Sequence, residues 1–462
     1  MMKTVKTAIL PVRQQFAALE APHELHREAL CIFAATGFFM DGDTHWKDKV
    51  CLAPAHTHHI DAEGILRKST PWFEWHYSPN TLTFDQTLEA YTALLTQIIK
   101  EQAGDTPVIL PLSGGLDSRS QAAVLKTLNL PVHAFSYAFT RGYPEHHIAA
   151  QVARACGFSF EAFRIPEGYL WECIDDLARL NGCYSEFTHP RQMAVLPQLK
   201  EMTGVFSLGH WGDVFFDRGA PEGTGEADVV PLLLKKMLKP GGMELASRLW
   251  ETWELPGDFR SYLISRVETS LSKIKIEKVS AQVRAFKTGQ WAHRWTTTNL
   301  AVFEAAHPIT LPYYDDRMCQ FICTVPEAFL ADRRLQLAHL KQHPELAHIT
   351  WQAQRPFSIA NAAWNKPPYN LPYRICSKAL RTCMALTGKP YVQRNFELQF
   401  LGANNDKALQ SHLFDPAGND MLPQALVREF YQKFTEKNTV FYSHPVSMLL
   451  TLALWNKHFN TP

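Results

Sequence analysis

The stretch V-I-L-P-L-S-G-G-L-D-S-R-S-Q, Val108 to Gln121, constrains this chain more than any other. A short apolar, partly β-branched run at 107–112 precedes two glycines, and a helical pattern with Val124, Leu125 and Leu128 follows from Asp117. The spacing predicts a strand, a tight turn and a helix in direct succession. Glycine lets a backbone turn sharply and approach a ligand closely, and the first turn of a helix leaves its N–H groups unpaired. Such a turn attracts phosphate. No lysine follows the glycines, so the turn is not a Walker loop. Ser113 and Ser118 offer hydroxyls and Asp117 a carboxylate, a set suited to a magnesium-bound pyrophosphate. The plainer reading is a glycine turn without a ligand, for which an aspartate beside the glycines is an odd choice.

Around this turn the pattern alternates. A helix near 83–102, strands at 132–139, 160–165 and 204–208 and a helix near 145–156 predict an α/β fold, a parallel sheet with helices on both faces. Ligands of such a sheet bind at the carboxyl ends of its strands. Residues 1–85 read as a small, mostly β region, 86–230 as the sheet core and 231–462 as a helical part. The glycine-rich segment Arg218–Asp228 reads either as a disordered surface loop or as a lid over the site.

With 462 residues, 46% of them hydrophobic, the chain can bury a sizeable core. A net charge of +1 argues against a broad nucleic-acid surface. The nine cysteines never fall in a C-x-x-C pattern, which points to reduced thiols in a cytoplasmic protein rather than a disulfide framework or zinc ribbon. No apolar run approaches the roughly 20 residues that span a bilayer. His56, His58 and His59 invite a metal reading, but no carboxylate or cysteine completes a set, so structural or solvent-facing histidines are expected.

S-G-G-L-D-S resembles the pyrophosphate loop of the N-type ATP pyrophosphatases, which split ATP into AMP and pyrophosphate on an adenine nucleotide α hydrolase-like fold. The order of further segments is similar to the asparagine synthetase and β-lactam synthetase superfamily: A-T-G-F-F-M-D-G-D onward from Ala35, L-G-H-W-G-D-V-F-F-D from Leu208, and L-P-Y-Y-D-D from Leu311. The resemblance implies that Ser113, Gly114, Gly115, Leu116, Asp117 and Ser118 hold the ATP phosphates. It implies that Ser136, Tyr137 and Gly209 belong to the nucleotide site, and that Asp213 joins Asp117 in binding Mg²⁺.

Departures from the family pattern carry their own message. Glutamine-dependent members begin with a nucleophilic cysteine, whereas this sequence starts Met1-Met2-Lys3 and first shows a cysteine at Cys31. A functional glutaminase is therefore not expected, and residues 1–85 read as its remnant. His210 stands where the family has glutamate or tyrosine, Thr310 where it has arginine, and Gln354 where it has a lysine that stabilises the departing group. Arg355 and Lys366 are the nearest replacement cations.

The expected activity is that of an ATP-dependent amide-forming ligase with Mg²⁺, in which a carboxylate is adenylated and an amine attacks the acyl adenylate. His210, Asp213 and Arg355 are the expected catalytic residues, with His210 a general base near the ordinary imidazole pKa of about 6.5. The amine arrives from solution, from a partner protein or from the same substrate molecule. Two other readings are amidation of a carboxylated sugar or surface-polymer precursor with free ammonia, and a nucleotide-binding scaffold without turnover. No nucleic-acid or membrane partner is expected.

Overall fold

The computed structural model describes residues 2–188, 190–352, 354–388, 390–415 and 421–460. Strands β1 (Lys3–Lys6), β2 (Phe16–Ala18), β3 (Lys49–Cys51), β4 (His56–Ile60) and β5 (Leu66–Pro71) build the N-terminal region as an antiparallel sheet β1-β4-β5 and a β2-β3 pair. Between β2 and β3 lies a helix, α1 (Arg27–Thr36), absent from the mostly β expectation. Ala29 through Thr36 are all buried, so α1 lacks the one-sided apolar stripe that marks a helix in sequence. It lies against Gly242, where an added Cβ would come 2.3 Å from the Ala35 carbonyl oxygen.

Helix α2 (Phe84–Ala103) starts at a capping box, in which the Thr83 hydroxyl accepts from the Gln86 N–H and the Gln86 side chain accepts from the Thr83 N–H. Its Leu88, Tyr91, Leu95, Ile98 and Ile99 repeat at helical spacing and are buried. Then follow β6 (Val108–Pro111), α3 (Leu116–Thr127), β7 (Val132–Phe139), α4 (Glu145–Cys156), β8 (Ser159–Ile165), α5 (Tyr169–Asn181), α6 (Leu196–Glu201) and β9 (Val205–Ser207). The alternation thus gives the expected parallel sheet with flanking helices.

The sheet has five strands in the order β10-β9-β6-β7-β8, every pair parallel. Its edge strand, β10 (Ile309–Thr310), comes from far along the helical part. From β6 the chain winds outward through β7 and β8 and later returns to the other side of β6 as β9. That reversal makes the carboxyl end of β6 a topological switch point, where ligands of open α/β sheets bind. Strand β6 is central, so both its faces must be apolar, and Val108, Ile109 and Leu110 are buried accordingly.

Beyond β9 the chain is mainly helical and ends in Thr439–Phe459, buried from Tyr442 to Asn456. One apolar core runs from Ile9 to Trp455 through all three parts. Gly219 and Ala220, in the segment read as loop or lid, are buried. A Cβ on Gly219 would lie 2.0 Å from the Ser280 carbonyl oxygen, so this backbone is seated on a helix. Among the described residues no helix is long and apolar enough to cross a membrane.

Candidate active site

The turn between β6 and α3 is built from its own polar groups. Gly115 precedes α3 with extended backbone and no side chain to cap it, which leaves the first N–H groups of the helix available. The Gly115 N–H itself donates to Ser113 Oγ at 3.1 Å, and the Ser113 N–H donates to Ser118 Oγ at 3.3 Å. Gly114 donates its N–H to Glu145 Oε2 at 3.1 Å. A Cβ on Gly114 would lie 2.6 Å from that oxygen and 2.7 Å from the Trp351 carbonyl oxygen, so only glycine fits. The turn therefore already presents one N–H, that of Gly114, to a carboxylate.

Arg119 anchors the turn from behind. Its guanidinium is buried and donates to the carbonyls of Gly114 (3.2 Å), Ile349 (3.3 Å), Thr350 (2.8 Å) and Trp351 (3.0 Å), binding the turn to strand β11 (Thr350–Gln352). Burial lowers its pKa to about 10, with the Glu145 charge acting against that shift, so it stays cationic at neutral pH.

Asp117 lies at the meeting of three elements. Its Oδ1 accepts from the Arg333 guanidinium and from Gln336 Nε2 at 2.9 Å, leaving Oδ2 without a hydrogen bond among the described residues. Helix α7 (Gly212–Phe215) starts against it: a Cβ on Gly212 would be 2.3 Å from Asp117 Oδ1. That close approach brings Asp213, which is exposed, beside Asp117. Burial pushes the Asp117 pKa up to about 6, Arg333 pulls it down, and the Asp213 carboxylate pushes it further up. A buried carboxylate whose proton affinity is raised by a second carboxylate, and which keeps one oxygen free, fits a divalent cation. Asp332 and Arg333 both adopt left-handed backbone, φ 58° and 62°, a strained arrangement that turns Arg333 toward Asp117.

Two cavities flank this pair. One of about 490 Å³ is lined by Ser113, Gly115, Asp117, Ser118, Ser136, Tyr137, Gly209 and His210. The other, about 740 Å³, is lined by Asp213, Arg333, Arg355 and Lys366 among others. The sequence-selected residues thus divide between two spaces, Asp117 lining the first and Asp213 the second. Leu116 and Gly114 are exceptions, and for Leu116 the reason is burial. Its side chain is 1% exposed in the core, so it can serve a ligand only through its N–H. Gly114 lines neither cavity and acts by close backbone approach. Thr310 donates to the Phe206 carbonyl at 2.8 Å, a contact between β10 and β9. Gln354 lines neither of the two cavities, whereas Arg355, on β12 (Arg355–Ser358), rests 4.1 Å over the Trp351 ring.

His210 lines the 490 Å³ cavity and is half-buried. Its Nδ1 is buried without a hydrogen bond, its ring meets Phe303 edge-on at 6.2 Å, and burial lowers its pKa to about 4 against the opposing charge of Asp213. The histidines of β4 are spent locally: His56 Nδ1 is 2.6 Å from the Pro54 carbonyl, His58 Nε2 is 2.9 Å from that of Ala53, and His59 faces Thr4. Among the described residues no group of three or more His, Cys, Asp or Glu could hold a metal.

Arg119, Glu145, Arg333 and Gln336 escaped the sequence reading. Arg119 lies inside the quoted motif but reads there as an ordinary helix cation, and Glu145 as a first-turn acid. Arg333 and Gln336 meet Asp117 across more than 200 residues, for which no local signal exists.

Residues 90–205 match the family model described as asparagine synthase. No curated protein matches the chain. Among solved structures, NMN synthetase from Francisella tularensis aligns with 44% of this chain and 92% of its own, at 13% identity and a TM-score of 0.22. Glutamine-dependent NAD⁺ synthetase from Acinetobacter baumannii, in complex with ADP, aligns with 41% of this chain and 42% of its own, at 16% identity and a TM-score of 0.21. The segment that holds β6, the glycine turn, α3, β7, α4 and β8 is similar to the asparagine synthase family, the resemblance that S-G-G-L-D-S implies.

Proposed function

We propose that the chain is an ATP-dependent ligase that adenylates a carboxylate and passes the acyl group to an amine not drawn from a glutaminase of its own. What carries this reading is the glycine turn, whose Gly114 N–H meets a carboxylate, and the Asp117–Asp213 pair at one switch point, with a cavity beside each aspartate. Adenosine lies against Ser136 and Tyr137. The phosphates take the N–H groups of the turn, replacing the Glu145 carboxylate on Gly114. The substrate carboxylate attacks the α-phosphorus, the bond to the bridging oxygen breaks, and pyrophosphate leaves. The amine then attacks the acyl carbon, loses a proton and expels AMP. Mg²⁺ held by Asp117 and Asp213 would spread the phosphate charge. Arg333 and Arg355, in the 740 Å³ cavity, supply the positive charge that the missing family lysine would have given.

Support for an external amine comes from residues 1–85, whose Cys31 and Cys51 are buried with thiol pKa values raised by burial, far from a nucleophile's needs. The reading is tested by ATP–pyrophosphate exchange across a panel of carboxylic acids, with glutamate release from glutamine measured alongside. Exchange that depends on one class of acid, with no glutamate released, is expected. ATP binding without exchange for any acid favours the scaffold reading, and steady glutamate release defeats the external amine.

His210 belongs to the second step as a neutral group on the wall of the 490 Å³ cavity, where its ring helps to position the amine. With a pKa of about 4 it stays uncharged from pH 5.5 to 8, so the ligation rate is expected to show no inflection near 6.5 from this residue. His210→Ala should slow amide formation by about 10²-fold and leave adenylation intact. An inflection near 6.5 that the variant abolishes would restore the general base.

A further inference from the structure

From Leu346 to Phe396 the chain has seven lysines or arginines and no aspartate or glutamate, although its whole length sets 46 cationic against 45 anionic side chains. Segregation of this kind creates a local positive potential that net charge hides. The fold brings part of this stretch to the rim of the nucleotide crevice. A cavity of about 660 Å³ there is lined by Arg355, Lys366, Arg374, Lys378 and Arg381, and by no carboxylate among the described residues. Arg355 and Lys366 also line the 740 Å³ cavity, and Tyr143 and Gln352 also line the 490 Å³ one, so the three spaces adjoin.

These cations are poorly compensated. Arg355, Arg374 and Lys378 form no salt bridge among the described residues. Among the described residues Arg381 donates to neutral partners, the Tyr143 hydroxyl at 3.2 Å and Ser377 Oγ at 3.0 Å. Lys366 pairs with Asp332 at 3.0 Å, but both side chains are exposed and such a pair holds little energy. Five like charges around one space repel one another, and a compact dianion relieves that repulsion while guanidinium groups match its oxygens in pairs.

We infer that this cavity takes a phosphate group carried by the carboxylic acid substrate, an inference that rests on the ligase reading above. The substrate class is then a phosphorylated carboxylic acid, its carboxylate in the 740 Å³ cavity and its phosphate among Arg374, Lys378 and Arg381. Arg355 and Lys366 span the two spaces.

Calorimetric titration of the full chain, saturated with magnesium and α,β-methylene ATP, compares glucuronic acid 1-phosphate with glucuronic acid. The phosphorylated acid is expected to bind at least tenfold more tightly. Arg374→Glu combined with Lys378→Glu, at two exposed positions without ion pairs, should erase the difference. Equal binding of the two acids, no binding of either, or a preference that survives charge reversal overturns the inference. Binding of the ATP analogue alone is read separately: its failure in the wild-type chain defeats the ligase reading, and the acids are then compared without nucleotide. A single-stranded RNA that displaces the sugar phosphate and binds more tightly overturns the inference in favour of a nucleic-acid surface.

Discussion

Asp213→Asn should lower substrate-dependent ATP–pyrophosphate exchange by about 10²- to 10³-fold without changing the melting temperature, the size of loss expected when a preorganised charge is taken from a reacting phosphate. Asp213 is exposed and in no ion pair among the described residues, so the fold does not need it. Asp117→Asn should abolish exchange to the same degree, but with a second effect. Asp117 receives the largely buried Arg333 guanidinium, and neutralising it leaves that cation unpaired, a loss of up to about 3 kcal/mol. The two variants therefore separate chemistry from structure. Equal loss of exchange with only Asp117→Asn melting early is the signature of a shared metal and phosphate site. If Asp213→Asn exchanges normally, Asp213 is no ligand and the fall in Asp117→Asn comes from a disordered turn. Magnesium dependence gives an independent readout: each single variant should need a higher magnesium concentration for half-maximal binding of ATP.

Where the controlling signal is local, the sequence is a good guide. The V-I-L run, two glycines and the helix starting at Leu116 occupy one short stretch, and the alternation that follows requires a parallel sheet. Because β6 is central in such a sheet, its turn falls at the switch point, and so Ser113, Asp117, Ser118, Ser136, Tyr137 and Gly209 come to line one cavity. What the sequence conceals depends on long-range packing. Strand β10 is two residues long, too short for any pattern, yet it forms the sheet edge. Helix α1 is buried on all faces and so has no stripe. The role of Arg119 appears only when the carbonyls of 349–351 close around it. His210 was legible as a position but not as a chemical state, since its pKa follows from the amount of protein around it. The charge imbalance after Leu346 was visible in the letters, but its meaning needed the cavity that it surrounds.

Acidification from pH 6.5 towards 4 should unfold the protein over a narrow range. Three buried histidines and the half-buried His210 are held neutral by the protein around them: His210 with a pKa of about 4, His293 of about 3, His339 of about 4, and His45 well below the ordinary value. In the unfolded chain each titrates near 6.5, so between that pH and about 4 the unfolded state binds more protons than the folded one. A histidine depressed in this way contributes stability that is present above 6.5 and lost as the pH falls. Asp117 works in the opposite sense, because its folded pKa of about 6 exceeds the unfolded value and protonation on acidification favours the fold. For these five groups alone the balance is a net uptake of about three protons on unfolding, a slope of about 4 kcal/mol per pH unit. Against a typical total of about 5–15 kcal/mol, two units of acidification can exhaust the stability of the domain. Urea unfolding at pH 7, 6 and 5 measures this slope directly. His339→Gln, which keeps a partner for the Thr92 hydroxyl now 3.0 Å from the ring, should reduce the slope by about one proton. Stability that stays constant between pH 6.5 and 5 would mean that these imidazoles are hydrated in solution, and the neutral state assigned to His210 would go with them.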